Sequence, residues 1–228
     1  MIQVKSSAVK PSATNHDITD QLVYPLLSRL VARIPRSVHP NTLTLAATGA
    51  GLVAAAVLAL SAQSYSLLIC AGLLVVWILL DSCDGIHARN TGQCSEFGGF
   101  LDHFGDALGF FVLQAAIVYK FDLHEPLVFG AMLFRQALGC WTYIIRIYSG
   151  HLFITRLGWS FEIYTYAALM VGLYCFPDFR LQFATFPKLD LLGTVLLLYY
   201  VAVPFTLLEI GLMALASRRK AVLAEKRP

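Results

Sequence analysis

Four aspartates, Asp81, Asp84, Asp102 and Asp106, stand inside or beside strongly apolar stretches of this 228-residue chain. A carboxylate at bilayer depth costs at least about 2.5–3.5 kcal/mol on insertion scales. Four of them on adjacent helices also repel one another. Hard divalent cations held by carboxylate oxygens would offset both penalties. Asp81 and Asp84 are spaced i, i+3, and Asp102 and Asp106 i, i+4. Each spacing puts its pair on one helix face, with Cβ atoms roughly 5–6 Å apart. The short connection NTGQCSEF makes the two helices antiparallel neighbours, so the pairs can face each other. Such a set can hold two ions, Mg²⁺ or Mn²⁺, about 3.5–4 Å apart, an arrangement suited to in-line displacement at phosphorus. Isolated helix caps or salt-bridge partners explain any one of these aspartates better than they explain all four.

The elements that must position these residues are transmembrane helices. Hydrophobic residues make up 57% of the chain and charged residues 14%, against a soluble norm of about 45–50% and about 25%. That excludes a disordered protein, a disulfide scaffold and an ordinary cytosolic enzyme. The apolar runs are continuous rather than alternating, which favours helices over a β-barrel. A net charge of +3 is too small to argue for nucleic acid. The five cysteines form no C-x-x-C pair and read as small buried side chains. Residues 1–20 are polar and show no cleavable signal. Six segments are each long enough to span a bilayer, at roughly 42–62, 66–88, 96–120, 126–148, 158–177 and 189–216.

The expected fold is therefore all-α, with six transmembrane helices behind an amphipathic N-terminal helix. In that helix Ile18, Leu22, Leu26, Leu30 and Ile34 recur every fourth residue, flanked by Val23, Leu27 and Val31. Such a helix lies in the membrane interface or packs on the bundle. The expected organisation is an N-terminal segment 1–39, a membrane domain 40–217 and a basic tail 218–228. Lys and Arg fall mainly on one side of these spans. Lys5, Lys10, Arg29, Arg33, Arg36, Arg89, Arg146, Arg156 and the tail's Arg218, Arg219, Lys220, Lys226 and Arg227 share it. Lys120, Arg180 and Lys188 lie opposite. The positive-inside rule then puts both termini and the aspartates on the cytoplasmic side.

The residues between the aspartates complete a longer pattern: Asp81-x-x-Asp84-Gly85-x-x-Ala88-Arg89, eight residues, then Gly98-x-x-x-Asp102-x-x-x-Asp106. This resembles the CDP-alcohol phosphotransferase family, whose signature it matches at every fixed position. Pro40-Asn41-Thr42-Leu43-Thr44 is similar to another element of that family. The resemblance implies an enzyme of phospholipid synthesis in which an acceptor hydroxyl attacks the β-phosphorus of a CDP-linked alcohol and CMP leaves. It implies metal ligation by the four aspartates and contacts to the nucleotide from Gly85, Ala88, Arg89, Gly98, Asn41 and Thr44. It also implies a homodimer, for which Gly105-x-x-x-Gly109 offers a close-packing stripe, although the same stripe suits packing within one chain.

The family's usual general base corresponds to Asp106. A carboxylate of ordinary pKa, about 4, is a poor base for an alcohol. His103, in an Asp-His pair similar to that of choline/ethanolamine phosphotransferases, is the second candidate. Arg135 and Glu162 lie outside the signature and are candidates for acceptor binding, or else partner each other. The short chain favours CDP-diacylglycerol as donor and a polar alcohol as acceptor. The alternative is transfer of a choline- or ethanolamine-type head group to a diacylglycerol-like lipid. A cation transporter or an inactive membrane scaffold would need the aspartates but not Gly85, Ala88, Arg89 and Gly98.

Overall fold

The computed structural model describes residues 12–15, 18–123, 130, 132–139, 151–154, 158–181, 189–190, 193, 204–212 and 215–216. Helices dominate. α1 is Ile18–Val31, α2 Pro40–Leu60, α3 Ser66–Thr91 and α4 Glu96–Phe121. Residues 132–139 form α5, Trp159–Cys175 form α6, and residues 204–212 form α7. Among the described residues, four short strands, which the all-α expectation lacked, tie chain segments together. β1 (Ser12–Asn15) pairs in parallel with β2 (His151–Ile154), and β3 (Arg180–Leu181) pairs antiparallel with β4 (Leu189–Asp190).

Among the described residues, α2, α3 and α4 are long and apolar enough to cross a membrane. α6, at 17 residues, falls just short of the about 20 needed. Most of the fourth expected span and half of the sixth lie outside the described residues, as do His16, His124, Arg146, Arg156, Tyr199, Tyr200 and the basic tail.

Each long helix has local reasons for its ends. His39 caps α2: its Nδ1 accepts from the Asn41 amide at 3.2 Å, and Pro40 takes the first turn, where a missing N–H costs nothing. Gly92 closes α3 at φ +70°, a left-handed conformation natural to glycine, and its N–H and that of Gln93 both return to the Ala88 carbonyl. Ser95 then caps α4, its Oγ accepting from the Gly98 amide at 2.9 Å. At the opposite end Lys120 Nζ donates to the Ser61 carbonyl, joining α4 to the end of α2.

α2 packs on both α3 and α4, α3 also packs on α6, and α1 packs on α3 and α6. The core centres on Trp77, which is 0% exposed. A Cβ placed at Gly51 of α2 or at Gly109 of α4 would sit 2.6 Å from its ring. Trp77 stacks at a tilt on Phe110, 5.2 Å away, and Phe110 in turn meets Trp159 at 5.3 Å. Gly105 lies against Thr48 of α2. The Gly105 and Gly109 stripe is thus filled within one chain, and any homodimer has to use another face.

α1 divides its apolar residues between two surroundings. Leu27 and Val31 are buried with Ile86, with Val23, Ile34, Leu79 and Cys83 packed around them. Leu22, Leu26 and Leu30 face outward. The cysteine expectation needs correcting. Cys70 is buried, but Cys94 and Cys175 are exposed, because Cys94 falls in the α3–α4 connection and Cys175 in the last turn of α6.

Candidate active site

The end of α3 and the start of α4 bring their carboxylates together. Asp81, Asp102 and Asp106 each bring one carboxylate oxygen to within 4.8 Å of the other two. All three are half-buried. Trp77, one turn before Asp81, forms the floor. Its indole Nε1 is buried and lies beside Asp106. Hard oxygen donors from two helices, closed on the core side by an aromatic ring, suit a divalent cation.

Asp84 is set apart from that trio. It is buried, and the hydroxyl of Thr44 on α2 donates to its Oδ2. The i, i+3 spacing places Asp81 and Asp84 on the same side of α3, but 60° of helical twist separates them. Thr44 engages the one turned toward α2. The expected four-aspartate set therefore appears as three converging carboxylates and a fourth held by a hydroxyl. Thr44, expected at the nucleotide, here positions Asp84.

His103 is tied to the cluster: its Nδ1 lies 3.2 Å from Asp102 Oδ2, with the two side chains 21% and 28% exposed. On α3 the guanidinium of Arg89 lies over Gly85, where a Cβ would meet its Nη1 at 3.3 Å. Gly85 thus gives Arg89 room to lie along the helix toward the site. A Cβ on Gly98 would stand 3.0 Å from Ser95 Oγ and 3.1 Å from Asn41 Oδ1. Gly98 therefore lets the Asn41 end of α2 close on the start of α4. Ala88 is half-buried on α3, and its carbonyl receives the helix-ending bonds described above.

Arg135 and Glu162 are not among the converging carboxylates and meet each other instead. Arg135 Nε on α5 meets Glu162 Oε2 on α6 at 3.3 Å, and both side chains are buried. Tyr166 and Gln114 are buried beside them. Of the two sequence expectations for this pair, mutual partnership is the one the geometry displays. Two residues of the site region had no assignment from the sequence. Trp77 reads as one more apolar residue in a span, and His87 as an isolated histidine with no ligand spacing.

The family model described as CDP-alcohol phosphatidyltransferase matches residues 37–217. The chain belongs to this family. Its relatives include cholinephosphotransferase 1 of Rattus norvegicus and of Mus musculus, each 28% identical over 184 residues, covering 72% of this chain and 46% of theirs. Cholinephosphotransferase 1 of Bos taurus is 26% identical over 184 residues, covering 72% of this chain and 45% of its own. The chain thus matches a little under half the length of these curated relatives. The match of the family model includes α2, α3, α4 and α6, and with them every residue of the carboxylate cluster.

Proposed function

We propose that this chain is a membrane phosphotransferase that moves a phosphate-linked head group from a CDP-linked polar alcohol to the hydroxyl of a diacylglycerol-like lipid, releasing CMP. The convergence of Asp81, Asp102 and Asp106 at one end of an apolar bundle carries this reading. Two observations favour head-group transfer over the CDP-diacylglycerol donor expected from the sequence. The relatives are named as cholinephosphotransferases. Arg135, the sequence's candidate for a phosphorylated acceptor, is instead paired with Glu162.

In the proposed reaction the acceptor oxygen attacks the phosphorus that bears the polar alcohol. A new P–O bond forms as the bond to the bridging oxygen breaks, and CMP leaves with that oxygen. Mg²⁺ or Mn²⁺ bound by the aspartates would neutralise the diphosphate and polarise the attacked phosphorus. Arg89, extended over Gly85, is placed to hold the diphosphate. Asn41, seated against Gly98, borders the same end of the cluster and would contact the nucleotide. Asp102 orients His103 through Nδ1, and the imidazole accepts the proton of the attacking hydroxyl. Asp106 then serves as a ligand rather than as the base. Lys and Arg counts put this end of the bundle on the cytoplasmic side, where nucleotide donors are found.

The test is CMP release by the purified chain with CDP-choline, CDP-ethanolamine and CDP-diacylglycerol, each offered with diacylglycerol, glycerol phosphate or inositol. Turnover is expected with a CDP-linked polar alcohol and diacylglycerol, to stop on chelation, and to return with Mg²⁺ or Mn²⁺. Turnover of CDP-diacylglycerol with a polar acceptor alone would reverse the assignment of donor and acceptor. CMP release that persists at full rate in chelator would remove the metal from the reaction.

A further inference from the structure

His87 takes no part in the chemistry above, yet it is 1% exposed in the middle of the signature, between Gly85 and Arg89. Its Nε2 lies 2.8 Å from the backbone carbonyl of Val38. A carbonyl oxygen only accepts, so Nε2 carries the proton and donates. Val38 immediately precedes His39, Pro40 and Asn41, the residues that start α2.

The same loop is fastened to the end of α3 at a second point. Gln93 Nε2 donates to the Arg36 carbonyl at 3.4 Å, and Thr91 Oγ1 lies 3.1 Å from Gln93 Oε1 and 2.7 Å from the His87 carbonyl. The Gln93 bond is long and exposed, whereas the His87 bond is short and its imidazole is buried. Beyond Val38, α2 makes its two contacts with the site. Asn41 stands against Gly98 at the start of α4, and Thr44 donates to Asp84. Residues 84 and 87 are i, i+3 on α3, so the Thr44 and Val38 bonds grip α2 and the loop before it from one helix face. The height of α2 along α3 follows from these two grips.

We propose that His87 is a positioning residue for the donor site. By donating to the Val38 carbonyl it sets the start of α2 against α3, and so holds Asn41 and Thr44 at the diphosphate end of the carboxylate cluster. It touches neither substrate nor reacting atoms. The proposal rests on the reading that this cluster binds a CDP-linked donor.

The test compares His87→Ala, His87→Gln and His87→Met in the full chain, assayed for CMP release with CDP-choline, or with whichever CDP-alcohol of the panel the wild type turns over, against diacylglycerol. Glutamine keeps a side-chain N–H able to reach a carbonyl; methionine fills comparable space without a donor. His87→Ala and His87→Met are expected to raise the KM for the CDP-alcohol roughly five- to tenfold, the loss of one ordinary hydrogen bond. The KM for diacylglycerol should stay at the wild-type value, and His87→Gln should restore most of the donor KM. If the alanine variant does not fold, the glutamine and methionine pair makes the same comparison. An unchanged donor KM in His87→Met, equal rises for both substrates, or a glutamine variant no better than methionine would overturn the proposal while the wild type remains active. A wild type that releases no CMP from any donor would remove the proposed function and the role of His87 together.

Discussion

Arg135 and Glu162 meet at 3.3 Å in the interior, while Asp81, Asp102 and Asp106 gather three acidic groups of one sign within 4.8 Å. Both sets put ionisable side chains among apolar helices, where each isolated charge is expensive. In the first set a cation from α5 and an anion from α6 oppose each other's charge at 3.3 Å. The second set is completed by what binds to it: convergent carboxylates become favourable once positive charge arrives. On the proposed reading the difference separates scaffold from site within one bundle. A self-neutralising pair joins two helices and has little remaining attraction for a charged substrate. A like-charge cluster at the polar end of two helices has a strong attraction for a cation.

The largest effect that tests this contrast is removal of a carboxylate from the cluster. Asp81→Asn or Asp102→Asn should lower CMP release by roughly a thousandfold or more, since the several kcal/mol that a bound ion contributes would be lost. Folding should survive, because removing one of several like charges relieves repulsion. Titration with Mn²⁺, followed by its paramagnetic signal, should show weakened ion binding in the same variants. Near wild-type turnover in either variant would break the contrast on the side of the cluster.

Next in size is the buried pair. Arg135→Ala leaves Glu162 buried opposite a void and should cost about 3–5 kcal/mol of stability. Arg135→Met combined with Glu162→Leu should recover most of that loss, as a well-packed apolar pair often replaces a buried ion pair at little cost. Thermal unfolding in detergent reads both. If Arg135→Ala leaves stability unchanged and raises the KM for the acceptor, the pair belongs to a substrate site after all.

The smallest of the three concerns Asp84, which sits between the two regimes as a carboxylate held by a hydroxyl. Thr44→Val keeps the shape and removes the donor. The loss of one hydrogen bond to a charged group should cost about 1.5–3 kcal/mol. If Asp84 acts in the reaction, that cost appears in kcat, a slowing of roughly 10- to 150-fold, and Thr44→Ser should recover much of it. If kcat is unchanged and the loss appears as a lower unfolding temperature, Asp84 belongs with the structural pair.

Much of the site was legible in one dimension because its spacing is local. The i, i+3 and i, i+4 aspartates, the small residues between them and the short connection from α3 to α4 fix which side chains share a face. Gly92 and Ser95, which end one helix and begin the next, are likewise residues with strong local preferences. The split of α1 between buried Leu27 and Val31 and exposed Leu22, Leu26 and Leu30 was half legible. The apolar stripe is in the sequence, but which flank meets α3 depends on the packing.

The sequence by itself determined that the chain is a helical membrane protein, where its signature lies and which carboxylates share a helix face, since hydropathy and helical periodicity are properties of neighbouring residues. Only the tertiary structure decided that Thr44 takes Asp84 out of the converging trio, that Arg135 is paired with Glu162, that Trp77 fills the gap between Gly51 and Gly109, and that His87 reaches the Val38 carbonyl. Each of those contacts joins residues on different elements, from 26 to 49 positions apart in the last three cases counted from Gly51 to Trp77, Arg135 to Glu162 and Val38 to His87. Such partners are chosen by how the helices pack against one another, and a linear pattern of residue types does not specify that packing.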